Sequence, residues 1–226
     1  MSGAPVITID GPSGAGKGTV AHRLADTLGW HFLDSGALYR VTGQACLIEG
    51  VDWEDHAGVT GIARTLDVTF TSAASGEVLV TYKGQDVSRS IRTEDGGRGA
   101  STVAAIPSVR AALLQRQREY AKPPGLVADG RDMGTVVFPH AQLKIFLTAS
   151  ASERAERRYK QLIEKGESVS LPRLLEDIEE RDARDSQRSV SPLVPAEDAI
   201  VVDSSGVPID EVFARVMGYV ADKGLK

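Results

Sequence analysis

A glycine-rich segment between an apolar run and a helical pattern constrains this 226-residue chain more than any other feature. The segment reads Gly11-Pro12-Ser13-Gly14-Ala15-Gly16-Lys17-Gly18-Thr19. The preceding run, Val6–Asp10, is typical of a buried strand. After the segment, Val20, Leu24 and Leu28 repeat at helical spacing. This strand–loop–helix context predicts a phosphate-binding loop.

The residue types of the loop suit phosphate. Glycines let successive backbone N–H groups converge on phosphate oxygens, and the following helix N-terminus adds partial positive charge. Lys17 can reach the β- and γ-phosphates of a nucleotide. The general pattern has Ser or Thr directly after this lysine. That position holds Gly18, so we expect Thr19 to supply the hydroxyl near Mg²⁺, directly or through water. All nine residues of the segment, from Gly11 to Thr19, are predicted to bind the phosphates of a nucleotide, which is ATP if the chain is a kinase.

A phosphate loop by itself leaves GTPases, motors and small-molecule kinases as candidates. Guanine recognition in Ras-like proteins uses an Asn-Lys-x-Asp motif, and this chain contains no asparagine. The composition therefore argues against a Ras-like switch.

Short β-branched runs alternate with amphipathic stretches along the chain. The predicted strands are Val6–Asp10, His31–Asp34, 126–129, Leu143–Thr148 and 199–203. Most of these runs are continuously apolar, as is typical of parallel strands covered on both faces. The alternation predicts an α/β protein with a doubly wound, parallel five-stranded sheet, the P-loop NTPase fold.

One region departs from this pattern, because its apolar residues alternate with a period of two. These residues are Leu66, Val68, Phe70, Val78, Val80 and Tyr82. Turn residues occur at Ser75-Gly76 and Lys83-Gly84. The pattern predicts a small antiparallel β insert within residues 66–92.

Charge and cysteine content exclude several classes of function. The net charge of −5 argues against a nucleic-acid partner, which usually requires a basic surface. A single cysteine, Cys46, excludes an internal disulfide or a multi-cysteine zinc site. No apolar run approaches the roughly 18 residues of a membrane span. We expect a cytoplasmic monomer without a membrane partner.

Three later motifs, together with the Lys-Gly-Thr end of the loop, resemble bacterial cytidylate kinases. They are Asp34-Ser35-Gly36-Ala37-Leu38-Tyr39-Arg40, Asp129-Gly130-Arg131-Asp132-Met133-Gly134-Thr135-Val136-Val137-Phe138-Pro139 and Arg181-Asp182-Ala183-Arg184-Asp185-Ser186-Gln187-Arg188. The resemblance covers nearly the whole chain. It implies one kinase domain over 1–226, a nested monophosphate-binding insert at about 62–103 and a helical lid at about 152–170. It also implies Mg²⁺-dependent transfer of the γ-phosphoryl group of ATP to CMP or dCMP.

The same resemblance implies roles for individual residues. Those expected around cytosine are Ser35, Ser101, Arg110 and Asp132. Those expected at the acceptor phosphate are Arg40, Arg131 and Arg188, with Arg181 and Asp185 beside the sugar. The lid arginines expected to close on ATP are Arg154, Arg157 and Arg158. The residues expected to be catalytic are Lys17, Arg131 and Arg188.

Elementary chemistry agrees with two of these assignments. A carboxylate at Asp132 can accept from the N4 amino group of cytosine, whereas uracil would present a carbonyl there. Arg181, Asp185 and Arg188 are spaced at i, i+4 and i+7, which predicts that they lie on a helix and share one of its faces.

Two other functions remain open from the sequence. The chain could phosphorylate a small-molecule hydroxyl, as relatives of shikimate or dephospho-coenzyme A kinase do, with Asp34 as the base. It could also be a regulatory ATPase with no small acceptor.

Overall fold

The structure is a computed structural model that describes residues 3–72, 78–164 and 166–225. Its strands are β1 (Val6–Asp10), β2 (His31–Asp34), β3 (Val68–Ser72), β4 (Val78–Tyr82), β5 (Gln85–Asp86), β6 (Leu126–Gly130), β7 (Leu143–Thr148) and β8 (Ile200–Asp203). Its α-helices are α1 (Lys17–Leu28), α2 (Ser35–Glu49), α3 (His56–Arg64), α4 (Glu94–Val103), α5 (Pro107–Arg118), α6 (Ala151–Glu164), α7 (Leu171–Ser186) and α8 (Ile209–Asp222). A 3-10 turn spans Ser90–Arg92 and a π-helical turn spans Met133–Val137.

The chain forms two compact units, and the first contains a parallel sheet. This unit comprises the residues up to Asp34 and those from Gln117 onward. Its strand order is β2-β6-β1-β7-β8, and every neighbouring pair is parallel. The predicted five-stranded parallel sheet is therefore confirmed. Because β1 and β6 are adjacent and parallel, the glycine-rich loop and residues 131–133 follow strand ends at the same edge of the sheet.

Apolar side chains cover the central strand on the side of α1 and α8. Ile7 and Ile9 of β1 are fully buried in a cluster with Val20 and Leu24 of α1 and with Val216 of α8. Burying these side chains removes most of their apolar area from water, at about 25 cal/mol per Å². This packing fixes the loop between β1 and α1 at both ends.

The second unit, Ser35–Arg116, contains the antiparallel sheet β3-β4-β5. This confirms the predicted β insert. Lys83 and Gly84 form the turn between β4 and β5 with φ values of 48° and 78°, as a two-residue hairpin requires. The predicted turn at Ser75-Gly76 lies outside the described residues. The insert predicted at about 62–103 falls inside this unit.

The β insert that the period-two pattern predicts, residues 66–92, is longer at both ends than the observed antiparallel sheet. Leu66 precedes β3, and it is buried at the connection from α3, where Arg116 donates to its carbonyl. Beyond β5 the chain enters the 3-10 turn instead of continuing in the sheet. A buried apolar residue two positions before a strand continues the alternating pattern without belonging to the strand. This explains why the predicted insert begins too early.

The described residues contain no helix that is both long and apolar enough to cross a membrane.

Candidate active site

Backbone geometry makes the glycines of the loop necessary. Gly11, Gly14 and Gly16 have φ values of 145°, 81° and 93°. A Cβ at Gly11 would lie 1.9 Å from the carbonyl oxygen of Leu147. No side chain caps the first turn of α1, which begins at Lys17 directly after Gly16. The helix N-terminus therefore presents its backbone N–H groups to a ligand, as a phosphate site requires.

Lys17 lies within this loop as a buried cation. Its Nζ donates to the carbonyl oxygen of Pro12 at 2.8 Å and lies 4.0 Å from Asp129 Oδ1. The pKa of Lys17 falls from 10.5 to about 7, chiefly because the ammonium is buried; the charges of Arg131 and Arg181 contribute to the fall, and Asp129 opposes it. The site therefore concentrates positive charge that a bound polyphosphate would neutralise.

Asp10, at the end of β1, holds the chain that follows β6. Its carboxylate accepts from the backbone N–H of Met133 at 2.8 Å and of Gly134 at 2.7 Å. A Cβ at Gly134 would lie 2.9 Å from Thr8 Oγ1, so the approach needs glycine. The pKa of Asp10 rises from 3.8 to about 7, chiefly because the carboxyl is buried; the charge of Asp132 adds to the rise, and the two N–H groups oppose it. Asp10 thereby ties the phosphate loop to the Arg131-Asp132 segment.

The raised pKa of Asp10 predicts a pH-dependent stability. Between the unfolded pKa of 3.8 and the folded pKa of about 7, the folded chain binds a proton that the unfolded chain lacks. The free energy of unfolding therefore loses this contribution as pH rises through that window. Asp10→Asn cannot titrate, so its stability relative to the original chain should rise over the same window.

Urea denaturation at several pH values inside the window measures this difference. Asp177→Asn, which removes an exposed carboxylate from α7, controls for a lost surface charge. A stability difference for Asp10→Asn that does not change with pH would contradict the assignment.

Asp185 holds two of the predicted catalytic arginines side by side. Arg131 Nε donates to Asp185 Oδ2 at 3.0 Å, and Arg188 donates to Oδ1 of the same carboxylate. The Asp185 side chain is only 2% exposed. Burial opposes ionisation of Asp185, but the charges of Arg131, Arg188 and Arg181 outweigh it and lower the pKa. A permanent carboxylate thus fixes a pair of guanidinium groups.

The helical placement predicted for Arg188 is wrong. Helix α7 ends at Ser186, so Arg181 and Asp185 share a helix but Arg188 lies beyond it. The backbone N–H of Leu193 donates to the Asp185 carbonyl at 2.9 Å, which turns the chain back at this point. Arg188 still reaches Asp185, because the turn keeps residues three apart close together.

The three arginines predicted for the lid lie on α6. Arg154 is buried, and it pairs with Asp182 at 2.5 Å and donates to the carbonyl of Ser13 at 3.1 Å. Arg157 contacts Glu153 and the Ser204 region. Arg158 is half-buried. Arg154 and Arg157 contact other protein atoms, and a role of all three arginines toward ATP stays a prediction.

Two serines predicted at cytosine belong to the second unit. Ser35, the first residue of α2, and Ser101 of α4 are both buried. Within the described residues, the buried Oγ of Ser101 has no hydrogen-bond partner. A buried hydroxyl without a partner is costly unless a ligand satisfies it, which supports a binding role.

The second unit also carries two of the predicted arginines. Arg110 of α5 is buried, donates to the Ala104 carbonyl at 3.2 Å and lies 5.5 Å from the ring centre of Tyr39. Arg40 donates to the Ile91 carbonyl at 3.0 Å. These contacts orient both guanidinium groups before any ligand binds.

The chain matches the cytidylate kinase family over residues 7–222. It belongs to this family. A cytidylate kinase of Stutzerimonas stutzeri is 59% identical, with 98% of this chain and 97% of that protein covered. The cytidylate kinase of Aeromonas salmonicida is 59% identical, with 96% of this chain and 94% of that protein covered. The cytidylate kinase of Shewanella amazonensis is 55% identical, with 97% of this chain and 96% of that protein covered. The solved structure of an uncharacterized protein from Eubacterium ventriosum matches this chain with a TM-score of 0.51 at 10% identity. The match covers 96% of this chain and 98% of that one, and it shows a likeness of fold alone.

Oxygen ligands suited to magnesium lie beside the loop of this cytidylate kinase family member. Thr19 is exposed in the first turn of α1. A Cβ at Gly18 would lie 3.4 Å from Asp129 Oδ2, so the Asp129 carboxylate is adjacent to the loop. Mg²⁺ prefers hard oxygen ligands and usually takes one or two from protein. The donor set therefore fits the cation that was predicted from the sequence.

Sequence reasoning missed three residues that organise the site: Asp10, Asp182 and Ser204. For Asp10 a signal existed, because a carboxylate closes an otherwise apolar buried strand. Asp182 and Ser204 carried no comparable signal, since their partners are distant in the sequence.

Proposed function

We propose that this chain transfers the γ-phosphoryl group of ATP to CMP or dCMP, giving ADP and CDP or dCDP. Family membership supports this activity, and one structural observation carries it further. Lys17, Arg131 and Arg181 interact electrostatically in one unit, next to a loop of open backbone N–H groups. Such a concentration of cations suits a reaction that brings two phosphate anions together.

Positioning and charge neutralisation account for the ATP half of the reaction. The N–H groups of the loop and of the first turn of α1 bind the phosphates. Lys17 moves its ammonium from the Pro12 carbonyl to the transferred phosphoryl group. Thr19 and Asp129 are the residues that would hold Mg²⁺, which supplies charge neutralisation at the phosphate oxygens when bound.

The acceptor half of the reaction requires no general base, because the acceptor is already a phosphate oxyanion. Arg131 and Arg188, held together by Asp185, bind that phosphate through the planar, bidentate donors that suit it. Arg40 adds a third cation, and Arg181 with Asp185 binds the sugar. The reaction therefore rests on aligning the two phosphates and excluding water.

Recognition of cytosine rests on Asp132 with Ser35, Ser101 and Arg110. Asp132 is buried, and its carboxylate does not cap the turn that it precedes. It accepts from the N4 amino group of cytosine, while arginine donates to the ring acceptors.

Replacing Asp132 is expected to weaken the binding of CMP far more than that of ATP. Asp132→Ala should raise the KM for CMP by about 10²-fold and leave the KM for ATP within about twofold, because the contact proposed for this carboxylate is with cytosine and not with ATP. Asp132→Asn should also weaken CMP, but its amide can donate to the carbonyl of uracil, so the ratio of UMP to CMP turnover should rise. Steady-state kinetics with each nucleotide measures both effects. Equal weakening of ATP and CMP in both variants would show that Asp132 is structural.

A single assay tests the proposed activity. ADP formation from ATP and Mg²⁺ is measured with CMP, dCMP, UMP, AMP, shikimate, dephospho-coenzyme A or no acceptor. We expect stoichiometric ADP with CMP or dCMP. ADP formed only with a hydroxyl acceptor would favour a small-molecule kinase with Asp34 as base, and ADP formed equally without acceptor would favour a regulatory ATPase.

The remaining assignments are proposals of the same kind. The insert at about 62–103 binds the monophosphate. The lid at about 152–170 carries Arg154, Arg157 and Arg158 and closes on ATP; its residue Lys165 lies outside the described residues. We further propose a cytoplasmic monomer with no nucleic-acid or membrane partner.

A further inference from the structure

The carbonyl oxygens of the phosphate loop are held by side chains. The Pro12 carbonyl accepts from Lys17, and the Ser13 carbonyl accepts from Arg154. The Ala15 carbonyl accepts from Ser204 Oγ at 3.1 Å, across 189 residues of sequence. In a trans peptide the C=O and the following N–H point in opposite directions. Each held carbonyl therefore fixes the direction of one N–H group that would bind phosphate.

Ser204 is the neutral member of this set, and Arg157 orients its hydroxyl. Arg157 donates to Ser204 Oγ at 3.1 Å and to the Ser204 carbonyl at 2.5 Å. A guanidinium group can only donate, so the hydroxyl accepts from Arg157 and directs its single hydrogen onward. The acceptors within reach are the carbonyls of Ala15, at 3.1 Å, and Thr148, at 3.0 Å. These hydrogen bonds connect Arg157 of α6 to the loop through the Ser204 hydroxyl.

We propose that Ser204 is a positioning residue of the ATP site and that Arg157 acts on ATP through Ser204 instead of by direct contact. This inference rests on the proposed kinase function. Ser204 is 1% exposed, so protein atoms enclose its hydroxyl, and of the two carbonyls within reach only that of Ala15 belongs to the phosphate loop. Holding that carbonyl directs the N–H of Gly16 toward the phosphates and prepares the loop before ATP arrives.

The first experiment compares two adjacent serines. Ser204→Ala should raise the KM for ATP by about three- to tenfold, the value of one hydrogen bond, and leave the KM for CMP unchanged. Ser205→Ala is the matched control, because Ser205 Oγ accepts from Ser150 N–H, and among the hydrogen bonds of the described residues Ser205 has none to the loop. Thermal unfolding of both variants checks that the fold is retained. An unchanged KM for ATP in a folded Ser204→Ala would overturn the proposal.

The second experiment asks whether Arg157 works through Ser204. Arg157→Met keeps the apolar stem and removes the donors. If Arg157 acts through Ser204, adding Arg157→Met to Ser204→Ala should raise the KM for ATP by less than about twofold further, although it raises that KM in the original chain. Fold-changes that multiply in the double variant would show that Arg157 contacts ATP independently, which overturns this part of the proposal.

A direct measurement of ATP binding distinguishes a failure of this inference from a failure of the kinase assignment. Calorimetric titration of ATP without CMP is carried out on the original chain, Ser204→Ala and Ser205→Ala. An original chain that binds no ATP would contradict the kinase function itself. Tight binding by the original chain with equal affinity in Ser204→Ala would contradict only the role of Ser204. Weaker binding in Ser204→Ala alone would support both.

Discussion

Replacing Lys17 by methionine is expected to lower turnover by about 10²–10³-fold, the cost of removing one preorganised group that stabilises developing charge. Lys17 is the sole cation between Gly11 and Thr19. Methionine keeps the length of the buried stem. Because burial depresses the pKa of Lys17 to about 7, charging this group opposes folding at neutral pH, and its loss should not lower the free energy of unfolding.

Lys144→Met is a matched control for this variant. Lys144 is also a buried lysine, and its ammonium likewise contacts a carbonyl, Pro139 at 2.7 Å, and a carboxylate, Asp198 at 2.8 Å. It lies on β7, outside the phosphate loop, so Lys144→Met should lower stability and leave turnover near that of the original chain. Turnover of Lys17→Met within about tenfold of the original chain would contradict a transition-state role for Lys17.

Arg188→Ala or Arg131→Ala is expected to cut turnover by about 10²-fold or more, because each removes one half of the cation pair that we propose binds the acceptor phosphate. The fold should survive each single change, since Asp185 keeps the other arginine as partner. Removing both should destabilise the chain by more than the sum of the single effects, because the buried carboxylate then loses both of these partners.

Arg184→Ala provides the control for these arginine variants. Arg184 lies on the same helix as Asp185, but its side chain is exposed. Its removal should leave turnover and stability near those of the original chain. Steady-state kinetics and urea denaturation measure both quantities, and near-normal turnover in both Arg131→Ala and Arg188→Ala would contradict the phosphate assignment.

Sequence patterns of a few neighbouring residues predicted most of the strands and helices. The bounds of β1, β2 and β7 match the predicted runs, and β6 and β8 differ from theirs by one residue at one end. These strands are short, apolar and bounded by turn residues, so their limits depend on near neighbours. Gly29 ends α1 with a φ of 65°, as its position after a helical pattern predicts. The excessive extent of the β insert shows where such patterns fail, because Leu66 is buried for reasons unrelated to a strand.

Arg188 shows the same limit within the site. Its spacing from Arg181 fits a helix, yet the helix ends at Ser186 because the chain turns back toward Asp185. The partner of Arg188 could be predicted, since a distance of three residues is short in either conformation. The element that carries it could not, because the end of α7 depends on a bond from Leu193.

By itself, the sequence determined the glycine-rich loop and the strands of the parallel sheet, because each is encoded by residues close together in the chain. Only the tertiary structure decided which groups hold these parts in place. Asp10 reaches Met133 across 123 residues, and Ser204 reaches Ala15 across 189. Such bonds depend on the neighbour order of the strands, which no local pattern contains. Their effect is to aim the backbone N–H groups of the loop and the Arg131-Asp132 segment before the substrates bind.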